Sequence, residues 1–353
     1  MTYGADDQLF ELERLNGDES VPADPADSTQ QRWWQKRATI GWIILAIAVA
    51  IPPFITNDLQ LNRLSRLVVL ALAVLGVNLL TGYTGLISLG HGVFVGVGAF
   101  AMANLIDTGL PLVLAGLGAT VFTGVIGVIL GLPALRVRGL YLALITFGFA
   151  LGFPPLARRL GKLTGGVTGR NVSNDAFSPP SFLGLDDHVQ IFRYGMCLVV
   201  VAIWFFIAHN LVNSRVGRAM RTVRDNEPAA ATFGVNIPYI KAGAVGISTA
   251  MAGTAGVMQA ILNPYVSHVD FDAFLSLRLY AAAVMGGLGA LIGAVFGVAA
   301  LILVPTLNDI AGLLDNDAIV FGAGLVIVTF LAPNGIAGVF QGKDDEAEGV
   351  SQR

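Results

Sequence analysis

The sequence of 353 residues is 54% hydrophobic and only 13% charged, carries 43 glycines and has a formal net charge of −3. A soluble domain of this length would have roughly a quarter of its residues charged. The composition therefore excludes an ordinary water-soluble fold and points to an all-α, polytopic membrane protein. The charges are also segregated: eight of the 24 acids precede residue 28, and four lie between Asp344 and Glu348. The stretches 38–57, 67–106, 108–135, 139–157, 194–214, 242–269, 279–308 and 318–342 contain no Asp, Glu, Lys or Arg. Several exceed the roughly 20 apolar residues that cross a bilayer as a helix.

In chain order, residues 1–37 read as a disordered, acidic cytoplasmic tail with Pro22 and Pro25 and little periodicity. The tail has neither the basic start nor the early apolar core of a signal peptide, so the first span is expected to be an uncleaved anchor. Trp33, Trp34, Lys36 and Arg37 mark an interface. A transmembrane bundle over 38–340 follows, with about ten spans. They are expected near 38–56, 64–81, 86–104, 110–132, 139–157, 194–212 and 241–262, then two within 274–308 around a turn at 286–289, and one at 318–335. Residues 341–353 form a second polar tail.

The positive-inside rule orients the bundle. Arg32, Lys36 and Arg37 place the N-terminus in the cytoplasm, and with it the 133–138 loop, the 213–241 loop and the C-terminus. Asp107, Asp270, Asp272, Asp309, Asp315 and Asp317 fall on the opposite side. Arg63, Arg66, Arg158, Arg159 and Lys162 also fall there, against the rule.

Glycines four apart, at 92/96, 127/131 and 289/293/297, suit close helix packing in lipid. Gly82, Gly85 and Gly90 stand with Tyr83, Thr84 and Ser88 between the second and third spans. Two readings fit them: a broken helix lining a substrate path, or a short turn with packing glycines. His91 either lines a polar path or packs through a hydrogen bond. Cys197 reads as a small buried hydrophobe. No Walker A sequence occurs, since Gly161-Lys162 and Gly342-Lys343 are followed by Leu and Asp. The four histidines lack metal-ligand spacing. No acid–base pair lies at membrane depth, so a membrane-embedded enzyme has little support. The deep polar groups are neutral: Asn78, Thr84, Ser88, Asn104, Ser248, Thr249, Thr254 and Gln259. Without a titrating group in the path, either energy comes from elsewhere or flow is passive.

The 213–241 loop interrupts this apolar chain. Arg215, Arg218, Arg221 and Arg224 recur every three residues and form a basic stripe on a helix. Asp225 and Asn226 offer N-cap chemistry, Pro228 suits a first turn, Ala229, Ala230 and Ala231 propagate a helix, and Gly234 can end it.

The run from Asn78 to His91, NLLTGYTGLISLGH, resembles the signature of branched-chain amino acid ABC transporter permeases of the LivM-like kind. RGLYLALIT from Arg138 to Thr146 is similar to another segment of that family. Thr164, Gly165, Gly166 and Gly169 resemble its T-G-G-x-x-G loop, with Val167-Thr168 where Ser-Asp is usual. The stretch from Ser214 resembles its coupling loop, and Val284 to Gly289 and Ala332 to Gly338 resemble its last spans, so the similarity covers about 65–340. The resemblance implies an ATP-driven importer in which this chain is no enzyme, binds no cofactor and contacts no nucleic acid. ATP is bound by two partner ATPases, and a second permease, an extracytoplasmic binding protein and membrane lipid complete the set of partners. It implies coupling through Arg218, Arg221, Arg224, Asn226, Glu227, Ala229, Ala230 and Gly234, with 227–233 as the docking helix. The implied pathway residues are Asn78, Gly82, Thr84, Gly85, Ser88, His91, Thr164, Gly165 and Gly166. Leucine, isoleucine and valine are the expected solutes. Urea or a short amide remains an alternative, as does a passive small-solute channel.

Overall fold

The computed structural model describes residues 57–134, 139–172, 189–263 and 265–311, with scattered positions between 322 and 338. The two polar tails and the span expected at 38–56 lie outside the described residues, and so does most of 318–335. The described part belongs to a single unit beginning at Asn57.

Helix α1 spans Asp58–Thr84 and ends where Gly85 adopts φ +70° and returns its N–H to the Thr81 carbonyl. Only a residue without a Cβ takes that conformation at no cost, so the glycine is a true stop signal. Residues 85–90 carry no helix, and α2 runs His91–Asp107. The third span was expected from residue 86; it starts at His91 because the chain spends 85–90 climbing back into the bundle. Helices α3 (Leu112–Ala134) and α4 (Leu140–Arg159) follow. A short α5 (Gly161–Thr164) leads through a 3-10 turn (Gly166–Thr168) to strand β1 (Arg170–Asn171). Helix α6 covers Val189–Asn213, α7 Arg215–Asp225, α8 Glu227–Thr232 and α9 Ile237–Leu262. Strand β2 (Tyr265–Val266) pairs antiparallel with β1, Arg170 opposite Val266 and Asn171 opposite Tyr265. A 3-10 turn (His268–Phe271), α10 (Ala273–Gly286) and α11 (Gly293–Ala311) complete the order. Among the described residues the all-α expectation thus holds apart from one two-residue strand pairing.

Five of these helices are long and apolar enough to cross a membrane: α1, α3, α4, α6 and α9. Three apolar helices are shorter, α2, α10 and the start of α11. Among the described residues these helices are unequal in length, and the spans expected at 38–56 and 318–335 lie largely outside them. The centre of the bundle is formed by α1 and α9, whose apolar windows are 72% and 78% buried, against 22% for α3 and 28% for α4 and α6.

Two sets of contacts fix the ends. Arg224 bonds the Gly82 carbonyl and Lys241 pairs with Glu227, so the end of α1 and the start of α9 share a face with α7 and α8. This is the loop face. Arg66 donates to Asn263 and Arg170 pairs with Asp107, gathering the opposite ends at a far face. Helix α2 spans neither face to the other. His91 contacts Ser248, eleven residues into α9 and about 16 Å along it at 1.5 Å per residue. Gly92 donates to Ser276 in the first turn of α10, so both short helices begin inside the bundle.

Helices α2 and α9 pack almost backbone to backbone. A Cβ at Gly98 would lie 2.1 Å from the Gly253 carbonyl oxygen, and one at Gly256 only 1.9 Å from that of Val95. The spaced pairs do pack as expected: Gly127 meets Thr249, Gly131 meets Val245, and Gly297 lies against the Ala282 carbonyl. Gly289 instead serves a turn, at φ +88°. Gly256→Val must push two backbones apart and should cost at least about 3 kcal/mol. A thermal melt of the purified protein checks this; an unchanged midpoint would contradict the observed packing.

Candidate functional site

The loop face is built from its caps upward. Ser214 Oγ accepts the N–H groups of Val216 and Gly217 and starts α7. Asn226 Oδ1 accepts the Ala229 N–H at 3.0 Å, Pro228 occupies the first turn, and Gly234 follows at φ +76°. Asp225 does not cap α8; it closes α7 and pairs with Arg224.

Three arginines of the exposed stripe reach backbone carbonyls of neighbouring segments. Arg218 Nη1 donates to the Asn213 carbonyl at 3.4 Å, and Arg221 Nη2 to that of Val212 at 3.2 Å, satisfying the open end of α6. Arg224 Nη1 donates to the Gly82 carbonyl at 2.7 Å. Its Cγ would lie 3.0 Å from a Cβ at Gly85. The loop is thereby tied to the stop of α1. Glu227 pairs with Lys241, whose side chain is 7% exposed. Ala230 is fully buried, while Phe233 and Tyr239 are 80% and 77% exposed. The element thus has an anchored underside and an aromatic outer surface.

Around the α1–α2 break, the neutral polar groups pack rather than stand open. Asn78 is fully buried; its Nδ2 donates to the Ala290 carbonyl at 2.7 Å and its Oδ1 accepts the Gly289 N–H at 2.8 Å. Gly82 lies against the same turn, where a Cβ would come within 2.3 Å of the Gly289 nitrogen. Thr84 Oγ1 donates to the Leu80 carbonyl. In α9, Thr249 returns to Val245, and Thr254 joins Thr120 of α3 and Trp204 of α6.

Deeper in, Ser248 Oγ donates to the Gly76 carbonyl at 2.8 Å and so accepts from His91 Nε2 at 2.6 Å. This fixes the His91 tautomer with its proton on Nε2. Nδ1 is buried without a hydrogen-bond partner among the described residues. Ser88 and His91, with Thr146, Thr249 and apolar side chains, line a cavity of about 30 Å³, which is room for about two waters.

The far face holds the remaining pathway candidates. Thr164 Oγ1 donates to the Ala157 and Leu160 carbonyls and accepts from Gly166. Gly165 and Gly166 both take positive φ, 76° and 65°. Arg170 bonds Asp107, Asn104 and the Leu163 carbonyl, and Tyr265 bonds the Thr168 carbonyl.

Residues 59–329 match the family model for the branched-chain amino acid transport system permease component. The chain belongs to this permease family. It is 30% identical over 331 residues to the high-affinity branched-chain amino acid transport system permease protein LivM of Escherichia coli K12, covering 86% of this chain and 75% of that protein. It is 28% identical over 290 residues to LivH of the same organism, covering 76% of this chain and 91% of LivH. A probable LivM of Methanocaldococcus jannaschii is 22% identical over 67% of this chain. No solved structure matches.

The chain is accordingly a multi-pass membrane permease component and not an enzyme. The permease's sequence-derived pathway residues do not form one cluster. Asn78, Gly82, Thr84 and Gly85 lie toward the loop face, Ser88 and His91 in the interior, and Thr164, Gly165 and Gly166 at the far face. Sequence reasoning missed Lys241 as the partner of Glu227 and Arg170 as the clamp of the far-face turn. Neither has a local signal, since the pairs are 14 and 63 residues apart.

Proposed function

We propose that this permease is the membrane subunit of an ATP-driven ABC importer for branched-chain amino acids. The observation that carries this reading is the α7–α8 element. It ends in the exposed Phe233, next to the exposed Tyr239 at the start of α9, and is bonded by Arg224 to the carbonyl of Gly82, beside the break between α1 and α2. A partner docking there would push directly on a place where the chain changes direction inside the bundle.

In this reading the loop face is cytoplasmic, with both termini there, in the plasma membrane. Two ATP-binding subunits supply the energy and hold the nucleotide, and this chain holds none. A second, similar permease completes the pathway, in keeping with the small size of the cavity beside His91. An extracytoplasmic binding protein delivers the solute at the far face. The relatives' names point to leucine, isoleucine and valine as that solute.

The test is uptake of labelled leucine by cells with and without the gene, challenged by valine, isoleucine and urea. Competition by valine and isoleucine, lost when ATP is depleted, is the expected result. Competition by urea alone would assign the permease to urea or a short amide. Flux that persists without ATP would make it a passive channel.

A further inference from the structure

Between α2, α3 and α4, toward the far face, lies a groove of about 460 Å³. Its walls include Phe100, Leu105, Phe122, Ile126, Phe153 and Leu160. Only two polar side chains line it, Asn104 and Thr164, and both are engaged. Asn104 Nδ2 donates to the Phe100 and Leu163 carbonyls and its Oδ1 accepts from Arg170. Thr164 Oγ1 serves the Ala157 and Leu160 carbonyls. The groove therefore offers hydrocarbon and nothing else. It is bounded by the outermost helices, where Val121, Phe122 and Leu156 are exposed.

The same chain segment supplies a charged rim. Leu156 and Ala157 line the groove immediately before Arg158 and Arg159, and Leu160 and Leu163 line it on either side of Lys162. All three cations are exposed. None has an ion-pair partner among the described residues, and Asp107, an acid of the same face, is taken by Arg170. These are also charges that the positive-inside rule disfavours on this side. A helix dipole welcomes cations at the end of α4, but it does not call for an uncovered apolar groove beneath them.

We infer that this groove seats an acyl chain of an anionic phospholipid, with the phosphate held by Arg158, Arg159 and Lys162. A single anionic head joined to hydrocarbon matches both parts of the site. A zwitterionic amino acid fits worse: its ammonium would meet cations and no free acceptor, at the cost of an unpaired charge. The inference needs only that the chain spans the membrane and is independent of which solute it carries.

The permease, purified in its assembled transporter in mild detergent, is supplied with phosphatidylglycerol and phosphatidylethanolamine of matched chains. Native mass spectrometry then reads which lipid stays bound. Wild-type protein should retain phosphatidylglycerol in preference. The R158Q/R159Q/K162Q form should retain about tenfold less or lower still, given three lost headgroup contacts. Ala101→Phe, which fills the groove and leaves the charges, should lower it comparably, while R158K/R159K/K162R should keep it. Equal retention of the two lipids by the wild type, which requires no variant to fold, would overturn the inference. So would unchanged phosphatidylglycerol retention in both the charge-neutral and the groove-filled forms. Displacement of the lipid by leucine, with leucine binding lost in Ala101→Phe, would give the groove to the solute instead.

Discussion

Glu227→Lys should leave the permease in the membrane and abolish uptake. In the wild type, Glu227 pairs with Lys241, whose side chain is only 7% exposed, while that of Glu227 is 27% exposed. The substitution places a second ammonium beside a nearly buried one. Breaking a buried pair from one side costs several kcal/mol; here about 2–3 kcal/mol is expected, because Glu227 keeps some contact with water. That is enough to displace a six-residue helix held by one cap and one buried alanine, and too little to unfold a bundle centred on α1 and α9. Labelled-leucine uptake together with an immunoblot of the membrane fraction separates the two outcomes. The reciprocal form, Glu227→Lys with Lys241→Glu, restores the attraction. It should recover the melting temperature and still fail to transport, since the docking surface would carry the wrong charge. Recovery of uptake by the swap would mean that only the ion pair matters and that Glu227 meets no partner.

Asn78→Leu should destabilise the permease as well as silence it. The side chain is fully buried and serves the turn between α10 and α11 through the Ala290 carbonyl and the Gly289 N–H. Leucine fills a similar volume but leaves those backbone groups without partners in the interior. Each such group costs about 1–3 kcal/mol. The expected drop in stability is therefore about 2–6 kcal/mol, read as a lower thermal midpoint in detergent together with lost uptake. A residue that merely lined a solute path would behave differently: uptake would change and the midpoint would stay. That outcome would return Asn78 to the pathway and deny it the clamping role.

The contrast between these two residues shows what was legible in the chain. Asn226, Pro228 and Gly234 carry their structural meaning locally, because a cap, a first-turn proline and a left-handed stop each depend on neighbours within a few residues. The α7–α8 element therefore emerges as the sequence suggests. Asn78 carries no such message. It reads as a neutral polar group at membrane depth, available either to a solute or to a backbone, and the choice is made by a turn more than 200 residues away. The arginine stripe is intermediate. Its spacing predicts one helical face, but only the tertiary structure brings Arg221 and Arg224 of that exposed face to the carbonyls at the ends of α6 and α1.

The sequence by itself determined the class, the family, most span positions and the loop that interrupts them. Each of these follows from composition, short-range spacing or a run of matched residues, which survive without knowledge of what lies across the bundle. The tertiary structure alone decided that α2 and α10 begin within the membrane bundle, that α9 is its axis, and that the pathway candidates divide among three depths. Those facts rest on long-range approach. Backbones must come within a glycine's width of one another, and side-chain amides and hydroxyls must find carbonyls far along the chain. In lipid, packing and hydrogen bonds rather than hydrophobicity select one partner helix over another, and a hydropathy pattern carries no record of that selection.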